Sequence, residues 1–448
     1  MVDATTPTLR FDSPAGMPLE AAFDAGRLTS DGGLPWLAEA DAALGLCAAF
    51  AAGIPDWRRG PVQHRLETLV RQRLFQIACG YADQNDATTL RTDPLLKLVC
   101  GRRPLSGPAL ASQPTFSRLE NAVDRHTVEQ LAAALVEVYI RERGRAGPPR
   151  QLVLDFDGTD DPAHGQQEGV GYHGHYRQHM YHPLLVFDGD TGHLITAVLR
   201  PGRAHGSRFA VLVLRRLVRR LRQVWPHVAI LLRADSGFAV PRLYAWCETQ
   251  GVRYTIGLIP NPALDPLAAP LLAQAHATSA RLGGVKVRLV DEARYQAGSW
   301  PRARRVVYKA EVLAKGPNTR FVVTTRRLAP RALYDWYVAR GAPENWIKDL
   351  KNALQADRLS DHRFWANAFR LLLHAAAYWL LDTLRRWLAD TVAAAFQFDT
   401  LRLQLLKVGG RVRKLADRVR LHLASSHPGE PLWTHLAARL QAPVNNPG

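Results

Sequence analysis

The chain has 448 residues, 47% of them apolar and 22% charged; these are ordinary globular values that exclude wholesale disorder and allow roughly two to four domains. Its charge is not ordinary: 58 Lys and Arg against 40 Asp and Glu give +18 at neutral pH. A polyanion is therefore the first partner to consider, because contacts to phosphates release counterions and dominate affinity. Four scattered cysteines without a CxxC pair argue against a zinc finger and fit a reducing compartment. The opening MVDATTPTLRFDSPAG lacks the basic-then-apolar pattern of a secretion signal. The longest apolar run, LLLHAAAYWLL, falls short of the roughly 20 residues a membrane span needs. A soluble, cytoplasmic protein with no membrane partner is expected.

Residues 1–145 read as a helical N-terminal domain that ends at the seam GRAGPPR (144–150). Within it, PVQHRLETLVRQRLFQIACG reads as a helix entered at Pro61 and left at Gly80, with Leu66, Leu69, Val70, Leu74 and Ile77 at helical spacing. Arg65, Arg71 and Arg73 fall among them, either as a DNA-contacting face or as the solvated edge of a core helix.

After the seam the period changes. Residues 150–260 read as β-β-β-α-β-α-β: QLVLDFDGT, the pair within HPLLVFDGDTGHLITAVLRPG, the helix FAVLVLRRLVRRLRQVW, HVAILLRADSG, the helix PRLYAWCETQG, and VRYTIGL. Residues 261–329 lean to strand, with VKVRLV, RVVYKAEVLA and RFVVTT. Residues 330–390 return to helix, and NAFRLLLHAAAYWLLDTLRRWLADTV is expected to pack against the sheet. Residues 391–448 form a basic C-terminal region read as helical. The histidine-rich run HGQQEGVGYHGHYRQHMYH reads as the connection between the first two strands. Metal ligation by His173 and His175, or by His179 and His182, is the less favoured alternative. Trp336 and Trp346 could stack on an unpaired base, although burial is the better expectation.

Three acids occupy places with chemical meaning. Asp157 ends the first strand of the sheet and Asp235 the fourth; if these strands are parallel neighbours, their ends meet where open α/β sheets hold ligands. Asp155 points to the same face as Asp157 at period two, so the first acid is open between them. Glu344 follows Pro343 in the first turn of a helix, with Lys348 and Lys351 one and two turns on. A solvated Glu–Lys pair would look the same. Three carboxylates without a Cys/His set select a hard cation such as Mg²⁺ or Mn²⁺. Two such ions can serve an in-line phosphoryl displacement, with Arg and Lys holding the phosphates.

Tyr337, Arg340, Glu344 and Lys351 match a Tyr-x2-Arg-x3-Glu-x6-Lys signature, and with it the chain resembles the DDE transposases of bacterial insertion sequences. The blocks LDFDGTDDPAHGQQ, PLLVFDGDTG, AVLRPG, RADSGF, GYADQNDATTLRTDPLLK and SQPTFSRLEN look like the insertion sequence thirteen-eighty family. This resemblance implies an α/β fold: a ribonuclease-H-like catalytic core with a β-rich insertion, flanked by helical N-terminal and C-terminal regions. It implies Asp157, Asp235 and Glu344 as catalytic acids holding Mg²⁺, with Mn²⁺ as a substitute and two ions per site; its DGT block favours Asp157 over Asp155. It also implies DNA contacts from Tyr337, Arg340 and Lys351, with Lys348 beside them. Gly-Ala-Pro before Glu344 puts Tyr337 and Arg340 on a preceding segment. The implied activity is cut-and-paste transposition: hydrolysis of the 3′ strand at terminal inverted repeats, then strand transfer into target DNA. The implied assembly is a homodimer on double-stranded DNA, at the nucleoid. A nuclease of the same fold that does not join strands, and an inactive DNA-binding descendant, are the rival expectations.

Overall fold

The computed structural model describes residues 7–441. The chain divides into two compact units: Asn121–Trp379, and a second built from the described residues on either side of that stretch. No single helix among the described residues is long and apolar enough to cross a membrane.

The Asn121–Trp379 unit is organised by one eight-stranded mixed sheet. Its strands are β1 (Gln151–Gly158), β2 (Leu184–Asp188), β3 (Leu194–Val198), β4 (Ala229–Ala234), β5 (Arg253–Leu258), β6 (Val287–Tyr295), β7 (Arg304–Leu313) and β8 (Gly316–Thr324), in the order β6-β7-β8-β5-β4-β1-β2-β3. β1, β2 and β4 are short apolar runs buried along almost their whole length, as befits central strands covered on both faces. β4 runs parallel to both β1 and β5, with Ala234 opposite Phe156; the remaining pairings are antiparallel.

Helices cover this sheet. α1 (Arg125–Gly144) sends the Tyr139 hydroxyl and the Arg143 guanidinium to Asp188 at the end of β2, at 2.8 and 3.1 Å. α2 (Ala210–Val224) buries Val213, Leu214, Leu217, Val218 and Leu221 and leaves its arginine-rich face in solvent. α3 (Pro241–Thr249) has Pro241 at its first position, where a missing N–H costs nothing. Gly251, at φ 64°, then turns the chain into β5. Further on come α4 (Asp265–Arg281), α5 (Pro330–Val338), α6 (Ala342–Lys348) and α7 (Phe364–Trp387). A 3-10 turn, Ala339–Gly341, joins α5 to α6, and a π turn, Asp349–Ala353, follows α6. As expected, α7 packs on the sheet: Trp379 stacks on His193 and donates its indole N–H to the Leu194 carbonyl at 2.8 Å.

Two expectations need correction, and one region holds more than expected. The strand-rich segment 261–329 also opens with the 17-residue α4, which packs on β6 and β7. Pro266 and Pro270 hid it: Pro266 lies in the first turn, where a missing N–H costs nothing, while Pro270 lies inside the helix and gives up one of its bonds. Its strands also extend the main sheet through β8 and β5. The C-terminal region 391–448 is not helical throughout, because Gly410–Lys414 and Val419–Leu423 form an antiparallel hairpin. Gly409-Gly410 breaks helix, and Val412, Val419 and Leu421 alternate at period two. Finally, the division of the chain falls after Glu120, not at 145, since α1 covers the β2–β3 edge and GRAGPPR is a turn within that unit.

The second unit joins both ends of the chain. Leu28–Thr29 pairs with Gly410–Arg411 beside the hairpin. Gly32 and Gly33 donate backbone N–H groups to Val408 and Leu406, and a Cβ on Gly33 would lie 2.2 Å from the Leu405 carbonyl oxygen. Only glycine permits that approach. The helix expected from Pro61 to Gly80 spans Leu66–Ala78. Two of its arginines are taken up inside the fold, Arg73 buried and donating to the Tyr81 and Ala82 carbonyls and Arg71 paired with Asp41 and Glu67, while Arg65 is exposed. All four cysteines are buried and free.

Candidate active site

The parallel pairing of β1 and β4 sets Asp157 and Asp235 side by side at the strand ends. Asp155 and Asp157 share a face, but their surroundings differ. Asp155 lies opposite Arg233 and is gripped by it at both oxygens, 2.6 Å each, with both residues about 98% buried or more. That carboxylate is already neutralised. Asp157, 7% exposed, has Arg340 as its charged partner instead. Asp235 accepts the Gly237 N–H at 2.8 Å, which starts a 3-10 turn and holds the carboxylate at the strand end.

The third acid comes from the helical segment. Tyr337 sits on α5, Arg340 on the 3-10 turn and Glu344 in the first turn of α6, so the preceding segment does carry the first two. Tyr337 donates its hydroxyl to the Ala234 carbonyl at 3.3 Å, one residue before Asp235. A Cβ on Gly257 would come within 2.7 Å of that hydroxyl; the bare glycine is what admits the tyrosine. Arg340 reaches Asp157 at 3.2 Å and Glu344 at 3.3 Å. Glu344 itself is exposed.

The electrostatics of the three acids are coupled. Burial pushes the Asp157 carboxyl up to about 7; Arg340 opposes this, while the negative charges of Asp235 and Glu344 add to it. Among the described residues no group of three His, Cys, Asp or Glu side chains stands ready to share one ion. The guanidinium of Arg340 occupies the space between Asp157 and Glu344.

The two lysines part company. Lys351, on the π turn, donates to the carboxylate and carbonyl of Asp160 at 2.8 and 2.9 Å. Lys348 is exposed on α6. Trp346 packs on Phe187, and Trp336 lies between the guanidinium groups of Arg233 and Arg326, so neither is a free platform for a base.

Sequence reasoning overlooked several neighbours. Asp160 anchors Lys351; the only hint was its place in the DGTDD block. Arg200 is fully buried beneath the site, donating to the His182 and Pro183 carbonyls. The histidine run folds into a small sheet, Asp161–Pro162, Gly171–His173 and Gln178–Tyr181. There Tyr176 packs against His173, His175 and His182. Burial, with the charges of Asp160, Asp157 and Asp235, pushes the Tyr176 phenol up to about 12. This sheet is thus a wall of the acidic site. The nitrogen positions of His182 explain themselves structurally: Nδ1 bonds the Ala204 carbonyl, and burial beside Arg200 drives the ring down to about 4.

A mixed sheet with acids at the ends of adjacent parallel strands, and a third from a following helix, defines a class of polar-site α/β proteins. The chain matches the family described as "Transposase DDE domain group 1" over residues 11–445, and it belongs to that family. No curated protein matches it. Among solved structures it is similar to the piggyBac transposase synaptic complex with hairpin DNA, at 12% identity and a TM-score of 0.42, over 93% of this chain and 83% of that one.

Proposed function

We propose that this DDE transposase performs cut-and-paste transposition: metal-dependent hydrolysis of the 3′ strand at terminal inverted repeats, followed by strand transfer into target DNA. The observation that carries this reading is the Arg340 guanidinium bonded to both Asp157 and Glu344, with the charge of Asp235 felt at Asp157. The strand order β3-β2-β1-β4-β5, with β4 parallel to β1 and β5, supports a ribonuclease-H-like core. The signature Tyr337, Arg340, Glu344 and Lys351 supports a place in the insertion sequence thirteen-eighty branch.

The donor set fits a hard divalent cation. All three donors are carboxylates, and Asp157 holds its proton up to about pH 7 because burial disfavours its charged form and Asp235 and Glu344 add negative charge nearby. Asp157, Asp235 and Glu344 would hold Mg²⁺ or Mn²⁺, as two ions, after Arg340 turns aside. Bound there, the metal would supply a polarised water or 3′-hydroxyl and charge to steady the leaving oxygen. The chain's own groups do the rest. Arg340, freed from the acids, and exposed Lys348 would pair with phosphates flanking the scissile bond. Tyr337, fixed on the Ala234 carbonyl, and Lys351, fixed on Asp160, would border the strand path. In the first step, water oxygen bonds to phosphorus, the bond to the 3′ oxygen breaks, and a 3′-hydroxyl and a 5′-phosphate result. In the second, that 3′-hydroxyl displaces a 3′ oxygen of target DNA. A homodimer would hold the two ends together, at the nucleoid in the cytoplasm.

The test is cleavage and joining of a labelled duplex carrying the element's own end, with Mg²⁺. Wild type is expected to cut and join, and Glu344→Ala to bind but cut more slowly by about 10²–10³-fold or more. Cutting without joining would favour a nuclease; equal binding with no cutting by either protein would favour an inactive descendant.

A further inference from the structure

The acids lie at one end of the sheet; its opposite end carries a different concentration of charge. Because β5 runs parallel to β4, the start of β5 lies away from Asp235, and the end of β8 and the start of β7 join it there. Strands of six residues separate the two ends by roughly 20 Å. At this far end a cleft of about 330 Å³ is lined by Arg294, Arg302, Arg304, Arg305, Arg326 and Arg327, with Glu248 as the carboxylate among them.

Internal pairing does not consume this charge. Glu248 is shared between Arg302 at 2.5 Å and Arg304 at 2.8 Å, and it also accepts the Tyr254 hydroxyl at 2.8 Å. Arg305 finds Glu292, outside the cleft. Arg294 donates to the Ala303 carbonyl, and Arg327 is exposed. Arg304 is 4% exposed, yet among the described residues its Nη1 has no hydrogen-bond partner; Nη1 of Arg326 has none either. Thr325 accepts the Tyr254 N–H at 3.0 Å, which leaves its own hydroxyl proton to give. Six guanidinium groups around one space repel one another, and burial together with neighbouring Arg253 and Arg233 makes the charge on Arg326 harder to keep. Their planar forks match phosphate oxygens two at a time.

We propose that this cleft binds a backbone phosphate of nucleic acid, at a second site on the sheet distinct from the acidic one. The assignment stands on the arginines alone and does not depend on which acids are catalytic.

The experiment measures binding of a mixed-sequence duplex by the full chain in EDTA across a range of salt. It compares wild type with Arg302→Ala/Arg327→Ala and, as a variant outside the Glu248 pair, Arg294→Glu. All three positions are exposed, and matching thermal melts check the fold. The slope of log affinity against log salt is expected to fall by about 0.9 in the double variant, the amount for one phosphate that is no longer neutralised, with affinity down about tenfold at 100 mM salt. Unchanged slope and affinity in both variants overturn the proposal. So does a shift of melting temperature by millimolar sodium phosphate, seen in wild type and absent from the variants, while DNA binding stays the same; the cleft would then serve free phosphate. Because EDTA removes any metal from this assay, failure of DNA cleavage in the Glu344 test leaves this result readable.

Discussion

Asp155 and Asp157 are two residues apart on one strand face, and their fates are opposite. Asp155 is half of a buried ion pair; Asp157 is held near two other acids with a single guanidinium in attendance. Removing one partner of a buried pair strands the other charge. Asp155→Ala should therefore cost about 3–5 kcal/mol in urea unfolding, whereas Asp157→Ala should leave the protein folded and abolish cutting. The reverse pattern would make Asp155 the working acid. Asp157 also predicts a pH dependence. Its ordinary value is 3.8 and it is held near 7, so between these pH values the folded protein keeps a proton that the unfolded chain has released. The stabilisation is full below about pH 4 and is lost as pH rises through 7. Asp157→Asn should thus be more stable than wild type by about 2–4 kcal/mol at pH 8 and little different at pH 4. An equal difference at both values would refute the coupling. Sequence spacing could name both aspartates but not choose by physics, because the choice is made by Arg233, 78 residues further on.

The strands and helices of 150–260 were legible because each is a short apolar run bounded by Gly, Pro or Asp, although β4 skips past β3 and β2 to pair with β1. Legibility failed where local signals pointed the wrong way: the prolines of α4, and the basic hairpin whose period-two alternation is brief. The segment carrying Tyr337, Arg340 and Glu344 was read correctly as broken, since Gly341 and Pro343 interrupt it. What no spacing revealed is the strand that receives it. Gly257 on β5 leaves room for the Tyr337 hydroxyl, and a Cβ there would also crowd the Ser236 N–H at 3.0 Å. Gly257→Val should lower stability by about 1–3 kcal/mol through overpacking. It should also slow cutting more than it weakens DNA binding, because α5 and the 3-10 turn that aim Arg340 must shift. Parallel unfolding, binding and cleavage measurements would check this; a drop in stability with cutting intact would show that the Tyr337 hydroxyl at β5 only fills space.

At the scale of the molecule, the one unit is a continuous stretch of chain and the other is not. The pairing of Leu28–Thr29 with Gly410–Arg411 spans more than 380 residues, beyond any pattern a local reading can detect, which is why the two flanking regions read as separate domains. A chain stopped before Gly410 should lose hydrogen-exchange protection around Leu28–Leu44 while β1 and β4 keep theirs; protection lost everywhere, or nowhere, would contradict the division. The same discontinuity sets a schedule for biosynthesis. When a ribosome has made residue 379, every residue of the sheet-bearing unit exists, but its companion has waited since the first codons for a hairpin not yet translated. At about 5–20 residues per second, the stretch from Leu380 to the end of the hairpin at Leu423 takes roughly 2–9 s. Throughout that interval the nascent chain exposes the edge of Leu28–Thr29 and the helix Leu34–Leu44 without the partner that completes them. A message cut short between Trp379 and Gly410 would yield an acidic site whose flanking unit never closes.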